Sequence, residues 1–371
     1  MTDTNAIEAN ELVDLAEASL ALGDAEAALQ LLAQVDDDHR DNQWTATQVE
    51  ALRLHGDFVE CQHLSTSSLE RMIDEADWDH ARRILIESGR AFSELAQDGK
   101  CIVFLHSFGS KLSSLEEIDP LFHVQLVAIL ASRVAGEGDV GTASQLLSTV
   151  ESVVDSVTDR RAVASILWVR AEIAELFADV ECAHDLVEQV LLIYSEEDDP
   201  LAIAQVVIRL SHLVTSFKGI REGKLRNAKT WVAHVLTMQL GDGHSEIRLE
   251  MLLRSAELDL LLGDVTSAIE ALEFVRQSFR LTGPSLAQYE LVCGLLALKT
   301  GDRGAALAHA ETAHRIFEPL AGDEWINGRL RTIAHVYAEL GEPSIASSLL
   351  SKALPPEGDF SWCLENFQWS N

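Results

Sequence analysis

The stretch Ala256-Glu-Leu-Asp-Leu-Leu-Leu-Gly263-Asp264-Val-Thr-Ser-Ala268-Ile-Glu-Ala-Leu272 reads as a helix, a tight turn and a second helix. Gly263 has no Cβ to clash, so it can take the left-handed backbone that ends a helix. Asp264 follows at once and offers a carboxylate to cap the next helix. Ala256 and Ala268 stand twelve residues apart across the turn. Two helices folded back on each other approach closely only where the facing side chains are small.

The unit recurs. The alanine after the turn reappears as Ala28, Ala81, Ala143, Ala183, Ala228, Ala306 and Ala346. Twelve residues before these positions stand Ala16, Leu69, Ala131, Ala171, Ser216, Gly294 and Ala334, all small except Leu69. The turns between them read Gly23-Asp24, Ala76-Asp77, Gly138-Asp139, Ala178-Asp179, Gly223-Lys224, Gly301-Asp302 and Gly341-Glu342. With Leu69 breaking the rule, the second unit is either slipped by one residue or not a true copy.

This pattern resembles the tetratricopeptide repeat over about residues 10–354. In that family a small residue sits mid-way along the first helix, and a Gly-Asp-like turn leads to an alanine early in the second. From Ala143 onward the intervals between post-turn alanines are 40, 45, 40, 38 and 40 residues, against a usual repeat of about 34. Longer units of this kind resemble the arrays of bacterial regulatory proteins more than those of chaperone adaptors. The resemblance implies an all-α, right-handed superhelical solenoid of about eight antiparallel helix pairs. It also implies that the first helix of each unit lines a concave groove. Carrying the register over places Trp168, Glu172, Arg254, Glu257, Arg331 and His335 in that groove. Alternating Arg and Glu there could read a peptide or could pair with each other between stacked helices. The asparagine-and-lysine clamp with which some members grip a C-terminal carboxylate has no equivalent, since the matching positions include Asp14, Val292 and Thr332. The expected function is a non-catalytic scaffold or adaptor that binds a protein or peptide. The alternative is a regulatory sensor whose groove takes a signalling peptide or small molecule.

Three segments follow from this reading: a flexible N-terminus over 1–9, the array over 10–354 with an irregular part at 44–119, and an aromatic C-terminal cap over 355–371. Within the irregular part, Lys100-Cys-Ile-Val-Phe-Leu-His-Ser-Phe-Gly109 is a compact apolar run. A buried helix is the first reading of it and an inserted strand the second. Asp119-Pro120 marks a helix start, and Pro284 suits the first turn of another. In the tail, Phe360, Cys363, Leu364 and Phe367 fall on one helical face, the pattern of a terminal cap or of a segment that inserts into a partner.

Composition narrows the function classes. A net charge of −32 over 371 residues speaks against a nucleic-acid surface, which needs clustered Lys and Arg. The five cysteines, Cys61, Cys101, Cys182, Cys293 and Cys363, are scattered without disulfide or zinc-ribbon spacing. Met1-Thr-Asp-Thr-Asn carries no leader pattern and no apolar run is long enough to span a bilayer, so a cytoplasmic location and no membrane partner are expected. A homo-oligomer stays open. Phosphate-loop, zinc-protease and nucleophile-elbow motifs are absent, so no catalytic residue, cofactor or metal is expected. Cys61 with His63 and Cys182 with His184 stand two apart and point to different sides of a helix.

One basic cluster stands against the acidic background: Lys218, Arg221, Lys224, Arg226 and Lys229, opposed only by Glu222. It reads either as a docking point for an anionic ligand or acidic segment, or as charge neutralised by neighbouring acidic helices.

Overall fold

The computed structural model describes residues 4–352, apart from 96, 113–118, 155–158, 178, 198, 217–220, 239–243 and 321–323. The described residues are all-α, with eighteen α-helices and no strand. They divide into two units, one of residues 1–169 and one of 170–239 with 245–356.

The first unit holds α1 (Thr4–Ala21), α2 (Ala25–Leu32), α3 (Asn42–His55), α4 (Phe58–Asp74), α5 (Trp78–Glu94), α6 (Asp98–Leu112), α7 (Pro120–Gly136) and α8 (Val140–Val154). The chain passes to the second unit within α9 (Arg160–Leu176). There follow α10 (Val180–Glu196), α11 (Pro200–Ser216), α12 (Glu222–Thr237), α13 (Ser245–Leu262), α14 (Val265–Ser278), α15 (Gly283–Thr300), α16 (Arg303–Phe317), α17 (Glu324–Leu340) and α18 (Pro343–Lys352).

The turn between α13 and α14 is built as its sequence requires. Gly263 sits at φ 89°. The Asp264 N–H reaches back to the Asp259 carbonyl at 2.8 Å, closing the end of α13. The Asp264 carboxylate accepts from the Ser267 N–H at 3.1 Å, capping α14. Ala256 and Ala268 are fully buried where the two helices meet. Around them pack Leu249, Leu253, Leu260, Leu272, Val275 and Val292.

The irregular part resolves into two regular pairs. Odd-numbered helices are first helices, and α1, α3, α5 and α7 each touch the next in line. In that frame α4 is a second helix and α5 a first one. The Leu69/Ala81 unit is therefore not a true copy: it joins the second helix of one pair to the first of the next. The pairs in frame are α3 with α4 and α5 with α6, and the twelve-residue spacing then falls on Val49 and Cys61 and on Gly89 and Cys101. All four residues are buried. At Gly89 a Cβ would stand 2.9 Å from Ile129 Cγ2 of α7, so glycine is what lets α7 come that close. Nine pairs result in the described residues, and the intervals Ala28–Cys61 and Cys61–Cys101 are an ordinary 33 and 40 residues.

The apolar run after Lys100 is helical in α6. Cys101, Ile102, Leu105 and Phe108 are buried, and Phe104 lies between Phe92 and Phe108 at centroid distances of 5.5 and 4.9 Å. Asp119 caps α7, accepting from the Phe122 N–H at 2.7 Å, and Pro284 lies in the first turn of α15. Two expectations differ. Gly223-Lys224 is inside the first turn of α12, with Arg221 at the N-cap, so this pair is helical and not the turn between helices. Helix α1 begins at Thr4, so helix already covers much of the segment read as flexible. The aromatic tail lies outside the described residues, as do Ala178 and Lys218.

Because Ala268 fills the crossing of α13 and α14 completely, Ala268→Leu should overpack it and cost about 1–3 kcal/mol. Urea unfolding of the two proteins checks this; equal midpoints would mean that the crossing lies elsewhere.

Candidate binding site

In the second unit the first helices α11, α13, α15 and α17 touch in sequence, and α17 also reaches α11. Their facing side chains are not the aliphatic set such a contact usually buries. Arg254 and Arg329 are fully buried, and Glu257 is 1% exposed. One Arg329 nitrogen, Nη1, donates to both Glu257 oxygens at 3.1 and 3.3 Å. Arg254 donates from Nε to Glu250 at 2.6 Å, while its Nη1 stands 3.5 Å from Glu257 and 3.5 Å from Thr215 Oγ1. A second group lies alongside: Arg209 pairs with Glu175 at 2.7 Å, and Arg331 approaches the same carboxylate at 3.6 Å.

Backbone shape permits this convergence. At Gly328 of α17, any Cβ would stand 1.9 Å from Cε1 of the buried His212 on α11. Glycine is therefore what admits the imidazole. Burial pushes the His212 pKa well down, and the Arg254, Arg209 and Arg331 charges add to the effect, so the ring is neutral. Burial pushes the Glu257 carboxyl up to about 7, against the pull of Arg254.

The register brought together three of the expected groove residues. Arg254 and Glu257 share the buried network, but as a closed cluster and not as an open groove, because α17 packs back across α11 and fills the space with Arg329. Arg331 joins Glu175. His335 is partly exposed, 3.8 Å from Glu339. Glu172 is half-buried on the second-unit part of α9, and Trp168, also half-buried, belongs to the first unit's end of that helix. Arg329, Glu250, Glu175, Arg209 and His212 were not singled out from sequence. The i, i+4, i+7 run Glu250, Arg254, Glu257 on α13 was the available signal for Glu250.

Each described member of the basic cluster meets an acid of its own unit. Lys224 Nζ lies 2.8 Å from Asp185 and 3.0 Å from Glu181, and Arg221 lies 3.8 Å from Glu181. Arg226 pairs with Glu222, and Lys229 with the buried Asp259. In the first unit, a groove of about 840 Å³ runs beside α2, α3 and α4, lined by Leu29, Trp44, Leu52, Phe58 and Leu64 among others. Arg40 covers the Trp44 ring at 4.6 Å.

No protein-family model and no curated protein matches the chain. Solved structures do. A Rap protein complexed with Competence and Sporulation Factor matches with a TM-score of 0.53 at 11% identity, covering 97% of this chain and 99% of that one. The Cut9–Hcn1 hetero-tetramer of APC/C matches with a TM-score of 0.52 at 13% identity, covering 93% of this chain; this chain spans 59% of that one. At such identities the likeness is one of fold: a helical repeat array of the tetratricopeptide type.

Two outcomes are expected at the buried network. Arg329→Met removes the guanidinium whose Nη1 bridges both Glu257 oxygens and should cost about 3–5 kcal/mol; a loss under about 1 kcal/mol would mean that water replaces the guanidinium. Glu257 also gives a pH signature. Its folded pKa, about 7, lies above the ordinary carboxyl value of 4.5, so its contribution to stability is complete below 4.5 and lost as pH rises through 7. In Glu257→Gln that fall should vanish from the stability–pH profile. The His212 contribution has the opposite sign, being lost as pH falls below 6.5, and should persist.

Proposed function

We propose that this chain is a non-catalytic scaffold that binds a protein or peptide along the first helices of its second unit. The observation that carries the reading is the pair of buried arginines, Arg254 and Arg329, with Glu257 between them on faces where the repeat packs first helix against first helix. Such ion pairs add little net stability over apolar packing. Charged groups in place of apolar packing fit a recognition role reached through the part-exposed residues beside them better than a purely structural core. Likeness in fold to a Rap protein complexed with Competence and Sporulation Factor, covering nearly the whole of both chains, supports the same reading. The part-exposed Arg331 and His335 are the members an incoming segment meets first.

A second reading is favoured by the same network. A ligand bearing a carboxylate or a guanidinium can exchange for Glu257 or Arg329, which would make the scaffold a ligand-responsive regulator with two states. Hydrogen exchange separates the readings: a responsive regulator loses protection in α17 on binding, and a passive scaffold gains it.

The test is co-purification with mass spectrometry to identify the partner, followed by calorimetry with the purified partner. Arg331→Ala with His335→Ala should weaken binding at least about tenfold, in a salt-sensitive way, with helicity unchanged. Equal affinity of variant and parent would remove this face from the binding surface.

A further inference from the structure

His184 sits on α10, 1% exposed, and neither ring nitrogen has a hydrogen-bond partner. A buried imidazole left in that state bears its desolvation cost without a compensating hydrogen bond. Its surroundings say what would satisfy it. Nδ1 stands 3.4 Å from Glu188 Oε2 and 3.7 Å from Asp185 Oδ1. Nitrogen and oxygen ligands of one metal ion, each about 2.0–2.1 Å from it, stand about 3.4 Å from each other in a tetrahedral site. One atom from each of His184, Asp185 and Glu188 lies within 4.8 Å of the other two.

The helix supplies this spacing. Residues four apart share a face, so His184 and Glu188 converge as Cys182 and His184 do not. Asn227 of α12 donates to the other oxygen of Glu188, Oε1, which leaves Oε2 turned to the imidazole. That is the part an outer-shell group plays in a metal site. Glu181 adds a third carboxylate, and Lys224 answers Glu181 and Asp185 with one ammonium.

We propose that His184, Asp185 and Glu188 form a binding site for a divalent transition-metal ion of zinc's class, with water completing the coordination. One nitrogen and two carboxylate ligands suit zinc or cobalt better than magnesium, which favours an all-oxygen octahedron. Lys224 is a competitor for the site: its ammonium holds the Asp185 oxygen that the ion would take. The site is independent of the peptide-binding reading, being built from α10 and α12 and not from the first helices.

The test uses the full chain freed of metal by chelator, titrated with Zn²⁺ by calorimetry and with Co²⁺ by visible absorption. One ion per chain is expected, with the absorption bands of low-coordinate cobalt. Zn²⁺ should displace the cobalt and excess Mg²⁺ should not. Glu188→Gln and Asp185→Asn, on exposed or half-exposed side chains, should each weaken binding by at least about tenfold, and Asn227→Ala by about tenfold. Lys224→Met should tighten it. Three results would overturn the proposal: no stoichiometric binding, binding indifferent to both carboxylate variants, or Lys224→Met binding no more tightly than the parent. Replacing the buried His184 can itself unfold the helix pair, so the surface variants carry the test.

Discussion

The fold depends on how closely two helices can come together after a two-residue reversal of direction. A helix end leaves its last carbonyls unpaired. The Gly263-Asp264 pair answers this by turning one residue left-handed, so that the next N–H can reach back to Asp259. The second helix then starts immediately and must lie against the first. Ala256 and Ala268 meet at that crossing with no exposed surface. Stability therefore accumulates pair by pair, each interface burying a face its own helices cannot bury alone.

This rule made most of the fold legible and also explains where it misled. Ala76 adopts φ 55°, and the Asp77 N–H reaches the Met72 carbonyl at 2.9 Å. That is the geometry of the Gly263 turn without the glycine. Turns within a pair and turns between pairs thus share one backbone solution, and a turn alone does not tell which kind it is. The frame is set by what lies at the crossing. In that frame the alanine positions are taken by the buried Cys61 and Cys101, and cysteine, small and buried, is not what an alanine count detects. Leu69, large and fully buried on α4, was the residue that marked the error.

The candidate site was legible to a different depth. Helical register follows from local sequence, and it sets Arg254 and Glu257 three residues apart on one side of α13, where both are buried. Whether that face is open follows from α17 packing on α11, a contact between helices separated by more than a hundred residues. Nothing in the periodicity of either helix encodes it. The nearest clue is Gly328, which is neither at a turn nor at a pair crossing. Its reason is the His212 ring that occupies the space of its missing Cβ. A glycine inside a helix with no local explanation points to a distant neighbour.

Charge ties the two sites together. With −32 over the whole chain, several cations lie within reach of more than one carboxylate. Lys224 has Glu181 and Asp185, Arg83 has Glu17 and Glu50, and Arg82 has Asp79 and Asp119. A basic cluster in such a chain is consumed from within, as the pairing of Arg221, Lys224, Arg226 and Lys229 demonstrates. The groups left with unused capacity are of two kinds. Around His184 the carboxylates outnumber the one ammonium that answers them, and the imidazole between them has no hydrogen bond. Between Arg254 and Arg329 two guanidinium groups share Glu257, and Arg254 Nη2 has no hydrogen-bond partner. The first arrangement favours an added cation, by local imbalance and not by the net charge of the chain, whereas in the second Glu250 and Glu257 together balance the two guanidinium groups.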